Sequence, residues 1–150
     1  MAESLINLTN ADRSDDQTRV YQEIARRGEC PFCIDNLHKS HQQPIIREGE
    51  HWLITPNQWP YRYTATHLLA ITKKHVMRIS DFGEEAGEVG AELFTHISWA
   101  ESEYKIAAGG LAMRFGDTTN TGASVAHLHA HIIQPDPGKP SDARVKFKIS

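Results

Sequence analysis

The sequence predicts an α+β domain in which a mainly antiparallel sheet of about five strands packs against one long crossover helix and a shorter N-terminal helix. Three observations carry this. Apolar residues recur at helical spacing over one long stretch, residues 81–108. Short apolar runs separated by turn residues read as strands joined by hairpin-length connections. A length of 150 residues with 39% hydrophobic content suits one globular domain over residues 1–150, with a core modest enough that self-association would add useful burial.

The elements follow in order. Residues 1–11 are polar and read as loosely held. Ser14-Asp15-Asp16-Gln17 has the form of a capping box, and Val20, Tyr21 and Ile24 then recur at helical spacing, giving a helix over 12–27 stopped by Gly28. Cys30-Pro31-Phe32-Cys33 forms a turn, and a polar loop follows. Ile45 and Ile46 begin a hairpin whose turn is Gly49-Glu50 and whose second arm is 51–55. Pro56 and Pro60 break that arm. A further strand over 67–72 is closed by Lys73, Lys74 and His75.

Asp81, three before Glu84, caps the long helix, whose stripe is Ala86, Val89, Leu93, Ile97, Ala100 and Tyr104 and whose stop is Gly109-Gly110. Phe94 and Trp99 lie on it as further core or interface residues. Strands over 111–115 and 125–134 flank a loop over 116–122. Pro135, Pro137, Gly138 and Pro140 open a C-terminal extension over 135–150. There Val145, Phe147 and Ile149 alternate with Lys146 and Lys148 as a half-buried last strand whose lysines blunt an edge.

Charge excludes several partners. Sixteen Lys+Arg against nineteen Asp+Glu give a formal charge of -3, so no basic field argues for duplex nucleic acid. No apolar run approaches the roughly 18 residues of a membrane span, and residues 1–16 lack the apolar centre of a secretory signal. The expectation is a cytoplasmic protein without nucleic-acid or membrane partners.

Chemistry concentrates in His127-Leu128-His129-Ala130-His131-Ile132-Ile133. On a strand, residues two apart share a face, so three imidazoles line one side at about 6.6 Å intervals, while Leu128, Ala130 and Ile132 face a covering helix. Imidazole is at once a nucleophile, a proton carrier and a hydrogen-bond donor near neutral pH, so three in a row can divide a group transfer among themselves. With nine His in 150 residues, the triplet would arise by chance roughly 0.03 times in such a chain. A His-rich metal patch is the competing reading. The His-x-His metal pair of barrel hydrolases needs a chain of about 250 residues, which excludes it.

Cys30 and Cys33, the only cysteines, admit three readings: a disulfide, a redox pair or half of a metal site. A thioredoxin-like pair would follow a strand and open a helix in a βαβ unit, which this context does not offer.

The run from His127 to Ile133 resembles the signature of the histidine triad (HIT) family. Thr66-His67-Leu68-Leu69-Ala70-Ile71-Thr72-Lys73-Lys74-His75 resembles the family's upstream strand, and Gly122-Ala123-Ser124-Val125 resembles the segment that precedes the triad. The branch most similar is the bacterial one with an N-terminal Cys-x-x-Cys, between phosphoramidate hydrolase-like and dinucleoside polyphosphate phosphorylase-like members. The resemblance implies a HIT-like fold and a nucleotide hydrolase or transferase. Its substrate would be a nucleoside phosphoramidate or dinucleoside polyphosphate, with adenine or another purine as base.

In that reading His129 attacks the α-phosphorus and becomes nucleotidylated, His131 and Ser124 donate to phosphate or leaving-group oxygens, and His127 orients the nucleophile. Backbone N–H groups near Gly122 and His129 complete an anion site. Asn57, in Asn57-Gln58-Trp59-Pro60-Tyr61, stands where many relatives carry an acidic ribose contact; it is either that contact or an ordinary turn residue. His67 lies beside the ribose or the triad, or is structural. Trp52 and Trp59 read as core rather than base contacts.

The resemblance also implies a structural zinc on Cys30, Cys33, His75 and His127, buried free thiols being the alternative. It further implies a two-fold homodimer through the long helix and the strand over 111–115, with residues 135–140 reaching the neighbouring site. Three rival functions stand beside the hydrolase: a diadenosine tetraphosphate phosphorylase (an adenylyltransferase), a nucleotide-binding interaction module with little turnover, and a zinc-loaded redox or sensor protein.

Overall fold

A computed structural model describes residues 4–10 and 14–150 of the chain. Five strands form one antiparallel sheet: β1 (Arg47–Glu48), β2 (Trp52–Pro56), β3 (Thr64–Thr72), β4 (Gly110–Arg114) and β5 (His129–Pro135), in the order β1-β2-β3-β5-β4. The expected α+β architecture is present. Since β5 runs antiparallel to both neighbours, β3 and β4 point the same way with a gap between them that β5 fills. Their connection is the long helix α3 (Ala86–Glu103), which crosses one face of the sheet.

That face carries the first core. Trp52, Ile54, Leu68, Ala70, Ala130 and Ile132 meet Val89, Leu93 and Ala100 of α3. Trp52 Nε1 donates to the Val89 carbonyl at 2.8 Å, and the Glu92 carboxylate accepts from the backbone N–H groups of His51 and Trp52 at 3.0–3.1 Å. The opposite face carries a second core of Leu53, Leu69 and Ile71 with Ile6, Tyr21, Ile24, Phe32, Leu37 and Val125. The triad histidines lie on this side, between the sheet and the N-terminal third of the chain.

Helix α1 (Asp15–Arg27) is capped by Ser14, whose Oγ accepts from Gln17 N–H at 3.1 Å, and ends on a left-handed Gly28. The expected start at Asp12 lies outside the described residues. Residues 4–10, expected as loose, are held instead: Ile6 is buried and bridges Val125, Asn7 N–H donates to the Ser124 carbonyl, and Ala126 N–H donates to Leu5. The segment leading into the triad is thus paired like a strand.

Several boundaries differ from expectation for local reasons. The polar loop after Cys33 is a short helix, α2 (Ile34–Ser40), anchored by buried Leu37. The long helix starts later than Asp81, because a 3₁₀ segment (Ile79–Glu85) with a kink at Gly83 precedes it; Asp81 caps that segment by accepting from Met77 and Arg78 N–H. It ends at Glu103 rather than 108, where Lys105 turns left-handed at φ 51. The loop over 116–122 contains a single helical turn, α4 (Thr118–Thr121), capped by Asp117.

The last predicted strand, 145–149, does not form. Its alternation survives as half-buried Val145 and Phe147 beside exposed Lys146 and Lys148, but its backbone finds a side chain, Arg114, instead of a ladder. No helix among the described residues is long and apolar enough to cross a membrane.

Candidate active site and cysteine–histidine cluster

Strand β5 begins at His129, two residues later than the first imidazole, so only His129 and His131 sit on the ladder. His127 precedes it in a bend whose geometry is fixed by Leu128, which donates to Val76 O and accepts from Thr72 N–H and Thr72 Oγ1. All three imidazoles are nevertheless buried on one side, and Phe32 packs edge-on against both His127 and His129.

The hydrogen bonds determine which ring nitrogen of each carries the proton. A carbonyl can only accept, so His129, whose Nδ1 lies 2.7 Å from His127 O, is protonated at Nδ1 and keeps its lone pair on Nε2. For His67, the backbone N–H of Tyr61 donates to Nδ1 at 3.0 Å, which places the His67 proton on Nε2, 2.9 Å from His131 Nδ1. His131 therefore accepts at Nδ1 and carries its proton on Nε2. The result is a pair of neighbouring rings with opposite roles: His129 presents a lone pair at Nε2, His131 a donor at Nε2. Their centroids are 5.1 Å apart.

The two rings share a small cavity with Ser124, Asn57, Tyr61, Phe32, Gln17, Tyr21 and Arg114. Ser124 lines the cavity together with His129. Gly122, left-handed at φ 75, ends α4 and lines the adjoining outer cleft rather than this cavity. Asn57 closes a turn, its Oδ1 accepting from Trp59 N–H at 3.0 Å, and it lines the cavity with its amide nitrogen 3.2 Å from the His67 ring. Trp59 packs edge-on to Tyr21, and Trp52 is core.

Four residues around the two rings escape sequence reasoning. Tyr61 stacks on His131 with centroids 5.4 Å apart. Gln17 and Arg114 are buried polar groups whose Oε1 and Nη2 have no partner among the described residues. Phe147 lies edge-on to His131 at 5.4 Å. Burial of Gln17 on an otherwise amphipathic helix was the one available signal; a lone Arg ending a strand and an aromatic in a tail give none.

Cys30, Cys33, His75 and His127 converge 97 residues apart in sequence at most, with Cys30 Sγ 3.3 Å and His75 Nδ1 3.1 Å from His127 Nδ1. Cys33 Sγ lies 3.4 Å from His75 Nδ1 and 3.8 Å from His127 Nδ1. A tetrahedron with zinc–sulfur and zinc–nitrogen bonds of about 2.3 and 2.0 Å has edges of about 3.3–3.8 Å. The spacing therefore fits zinc. His127 Nε2 lies 2.6 Å from Thr72 O and so holds the proton, which leaves the Nδ1 lone pair facing the cluster. Burial also holds this imidazole neutral, with its pKa lowered to about 4. In the protein alone burial pushes the Cys30 thiol up to about 12, a cost that a bound cation reverses. No disulfide joins the pair.

Residues 29–146 match the family described as scavenger mRNA decapping enzyme C-terminal binding. No curated protein matches the chain. Among solved structures, the chain is similar to a HIT family hydrolase from Clostridium thermocellum, at TM-score 0.59 and 20% identity, over 77% of this chain and 97% of that one. It is similar to a HIT family hydrolase from Legionella pneumophila, at TM-score 0.56 and 24% identity, over 75% and 95%. A third is a zinc-bound histidine triad family protein from Mycobacterium smegmatis, at TM-score 0.52 and 23% identity, over 76% and 82%. These likenesses concern the fold.

Proposed function

Because this chain belongs to the histidine triad family, we propose that it is a nucleotide hydrolase or transferase in which His129 attacks the α-phosphorus of a nucleoside phosphoramidate or dinucleoside polyphosphate. The observation that carries this reading is the complementary protonation of the two cavity imidazoles. His129 Nε2 has the lone pair a nucleophile needs, and the bond from its Nδ1–H to His127 O stabilises the positive charge that grows on the ring during attack. His131 Nε2–H is a donor for the phosphoryl oxygens, fixed in that state by His67 and Tyr61. His67 is a positioning residue in this scheme. His127 positions the nucleophile through its carbonyl rather than its ring.

The first step forms the Nε2–P bond and breaks the bond from phosphorus to the leaving group, which departs with the electron pair. The second step forms a bond from phosphorus to water or another acceptor and returns the imidazole. Ser124 donates a hydroxyl to the phosphate or leaving group, Asn57 borders the nucleoside side of the cavity, and Tyr61 stands between the cavity and the outer cleft.

Cys30, Cys33, His75 and His127 would hold a structural zinc; its donors are two thiolates and two imidazoles with no place left for water, so it would brace the strand entry and not touch the phosphate. The protein is further read as one domain, since both cores rest on the same sheet, and as a two-fold dimer taking purine nucleotides.

A panel of adenosine phosphoramidate, diadenosine tetraphosphate and a nucleotide sugar, assayed with and without inorganic phosphate, tests the activity. Release of AMP independent of phosphate supports hydrolysis, and ADP formed only with phosphate supports phosphorolysis. Nucleotide binding with no product from any member would leave a binding module.

A further inference from the structure

Arg114 closes β4 directly opposite His129 in the β4–β5 register. Opposite residues of an antiparallel pair share a face, so its guanidinium lies on the nucleophile's side of the sheet and lines the same cavity as His129, His131 and Ser124. The residue is only 8% exposed. Nε donates to the Lys148 carbonyl at 2.7 Å, and the Phe147 ring covers Cζ at 3.8 Å. Nη2 is buried without a partner, and no carboxylate pairs with the cation among the described residues. One carbonyl and one aromatic face offset only part of the cost of a buried charge. What is missing is an anion, and a planar fork of N–H donors is the group that best receives a phosphate.

The surroundings say which phosphate. Strand order puts β5 between β3, which follows the Asn57–Tyr61 loop, and β4, which carries Arg114. With the nucleoside on the β3 side of His129, the β4 side is left to the rest of the substrate, and in-line attack sends the breaking bond away from Nε2 and off the sheet face. Outside the cavity, a cleft of about 1150 Å³ opens between the β2–β3 loop and the C-terminal segment, and Tyr61 lines both spaces. Its walls carry Arg62, Arg144, Lys146 and Lys148 against one carboxylate, Asp142. Lys148 links the two, its carbonyl on Arg114 and its residue in the cleft wall.

We propose that Arg114 binds a phosphate of the leaving group, with the basic cleft accommodating the rest of a polyphosphate chain. The preferred substrates are then nucleotides whose α-phosphate is joined to a further phosphate, rather than phosphoramidates. This rests on attack by His129 at the α-phosphorus. In that step the Nε2–P bond forms, the P–O bond of the anhydride breaks, and its electron pair leaves on a phosphate oxygen whose negative charge Arg114 neutralises.

Calorimetric binding of AMP and ADP to the wild type, Arg114→Gln and Arg114→Lys tests the assignment, beside kcat/KM for diadenosine tetraphosphate and adenosine phosphoramidate. The wild type should bind ADP at least about tenfold tighter than AMP, and Arg114→Gln should erase that margin. The ratio of kcat/KM for tetraphosphate over phosphoramidate should fall on the order of 30-fold in Arg114→Gln and less in Arg114→Lys. Equal losses on both substrates, with robust wild-type turnover, overturn the assignment and leave the hydrolase reading standing. Turnover of neither substrate, with an Arg114-dependent preference for ADP, does the reverse. Should Arg114→Gln fail to fold, the wild type still decides, because equal affinity for AMP and ADP contradicts a second phosphate site.

Discussion

His127 serves two masters at the scale of single atoms. Its ring Nδ1 faces Cys30, Cys33 and His75, its Nε2–H is fixed on Thr72 O, and its carbonyl receives the Nδ1–H of the nucleophile. Removing a sulfur ligand should therefore loosen the strand entry as well as the metal site. Purified wild-type protein should contain about one zinc per chain, and Cys30→Ser should lose it with roughly 2–4 kcal/mol of stability, on the order of 10 °C in Tm. Substoichiometric zinc in protein never exposed to chelator would contradict this, as would an unchanged melting curve. The triad and the Cys-x-x-Cys pair were legible in the sequence because their residue types are chemically rare and their spacing is regular. The tautomers were not, since they depend on Tyr61 and Thr72, which only the fold brings near. Arg114 was invisible for the same reason: nothing in Leu-Ala-Met-Arg-Phe distinguishes a site cation from a solvated one.

Among the elements, the contact between α3 and the β1–β2 hairpin is held by a charge. Burial on its own raises the Glu92 pKa, but hydrogen bonds from His51 N–H, His96 and Trp52 N–H outweigh it and leave the carboxyl below its ordinary value of 4.5. His96 passes the contact on to Arg47, whose Nε donates to His96 Nδ1 at 3.0 Å. Gly49 must be glycine here, because a Cβ would lie 2.7 Å from His96 Nε2. A depressed folded-state pKa stabilises the protein above the unfolded value, and that contribution is lost as pH falls through the folded one. Glu92→Gln should accordingly cost about 1–2 kcal/mol near pH 7 and flatten the acid limb of stability below about pH 5. Equal destabilisation of wild type and variant at pH 3 and pH 7 would refute the charge-based account. The existence of α1, α3 and all five strands could be read from periodicity, whereas their ends could not. Asp81 looks like a helix cap and is one, but of a 3₁₀ turn that a kink at Gly83 separates from α3. Helix α2 was hidden by its polarity, with Leu37 its one buried residue.

The whole molecule leaves large apolar side chains uncovered on α3 and at the sheet's free edge: Phe94 is 67% exposed, Leu111 of β4 44%, and Phe115, just past β4, 55%. Trp99 belongs elsewhere, packed edge-on to Tyr104 beneath Arg47. A two-fold contact would bury the exposed side chains twice and pair the open edge strand. Light scattering should give about twice the 16.9 kDa chain mass at micromolar concentration, and Phe94→Glu should give the chain mass. A monomeric, fully active wild type would rule the dimer out. Overall topology was within reach of the sequence because strand patterns and one long helix admit few arrangements. The C-terminal segment was not, because its alternation mimics a strand while its partners are Arg114, Tyr61 and His131. Sheet, clamp and cores converge on one nitrogen, and the direct measurement is its modification. Wild-type protein mixed with substrate and quenched in alkaline denaturant should yield an acid-labile nucleotidyl group on the peptide bearing His129, while His129→Ala gives no adduct and less than about 5% of the turnover. Turnover without an adduct, an adduct on another residue, or an active His129→Ala would contradict the account.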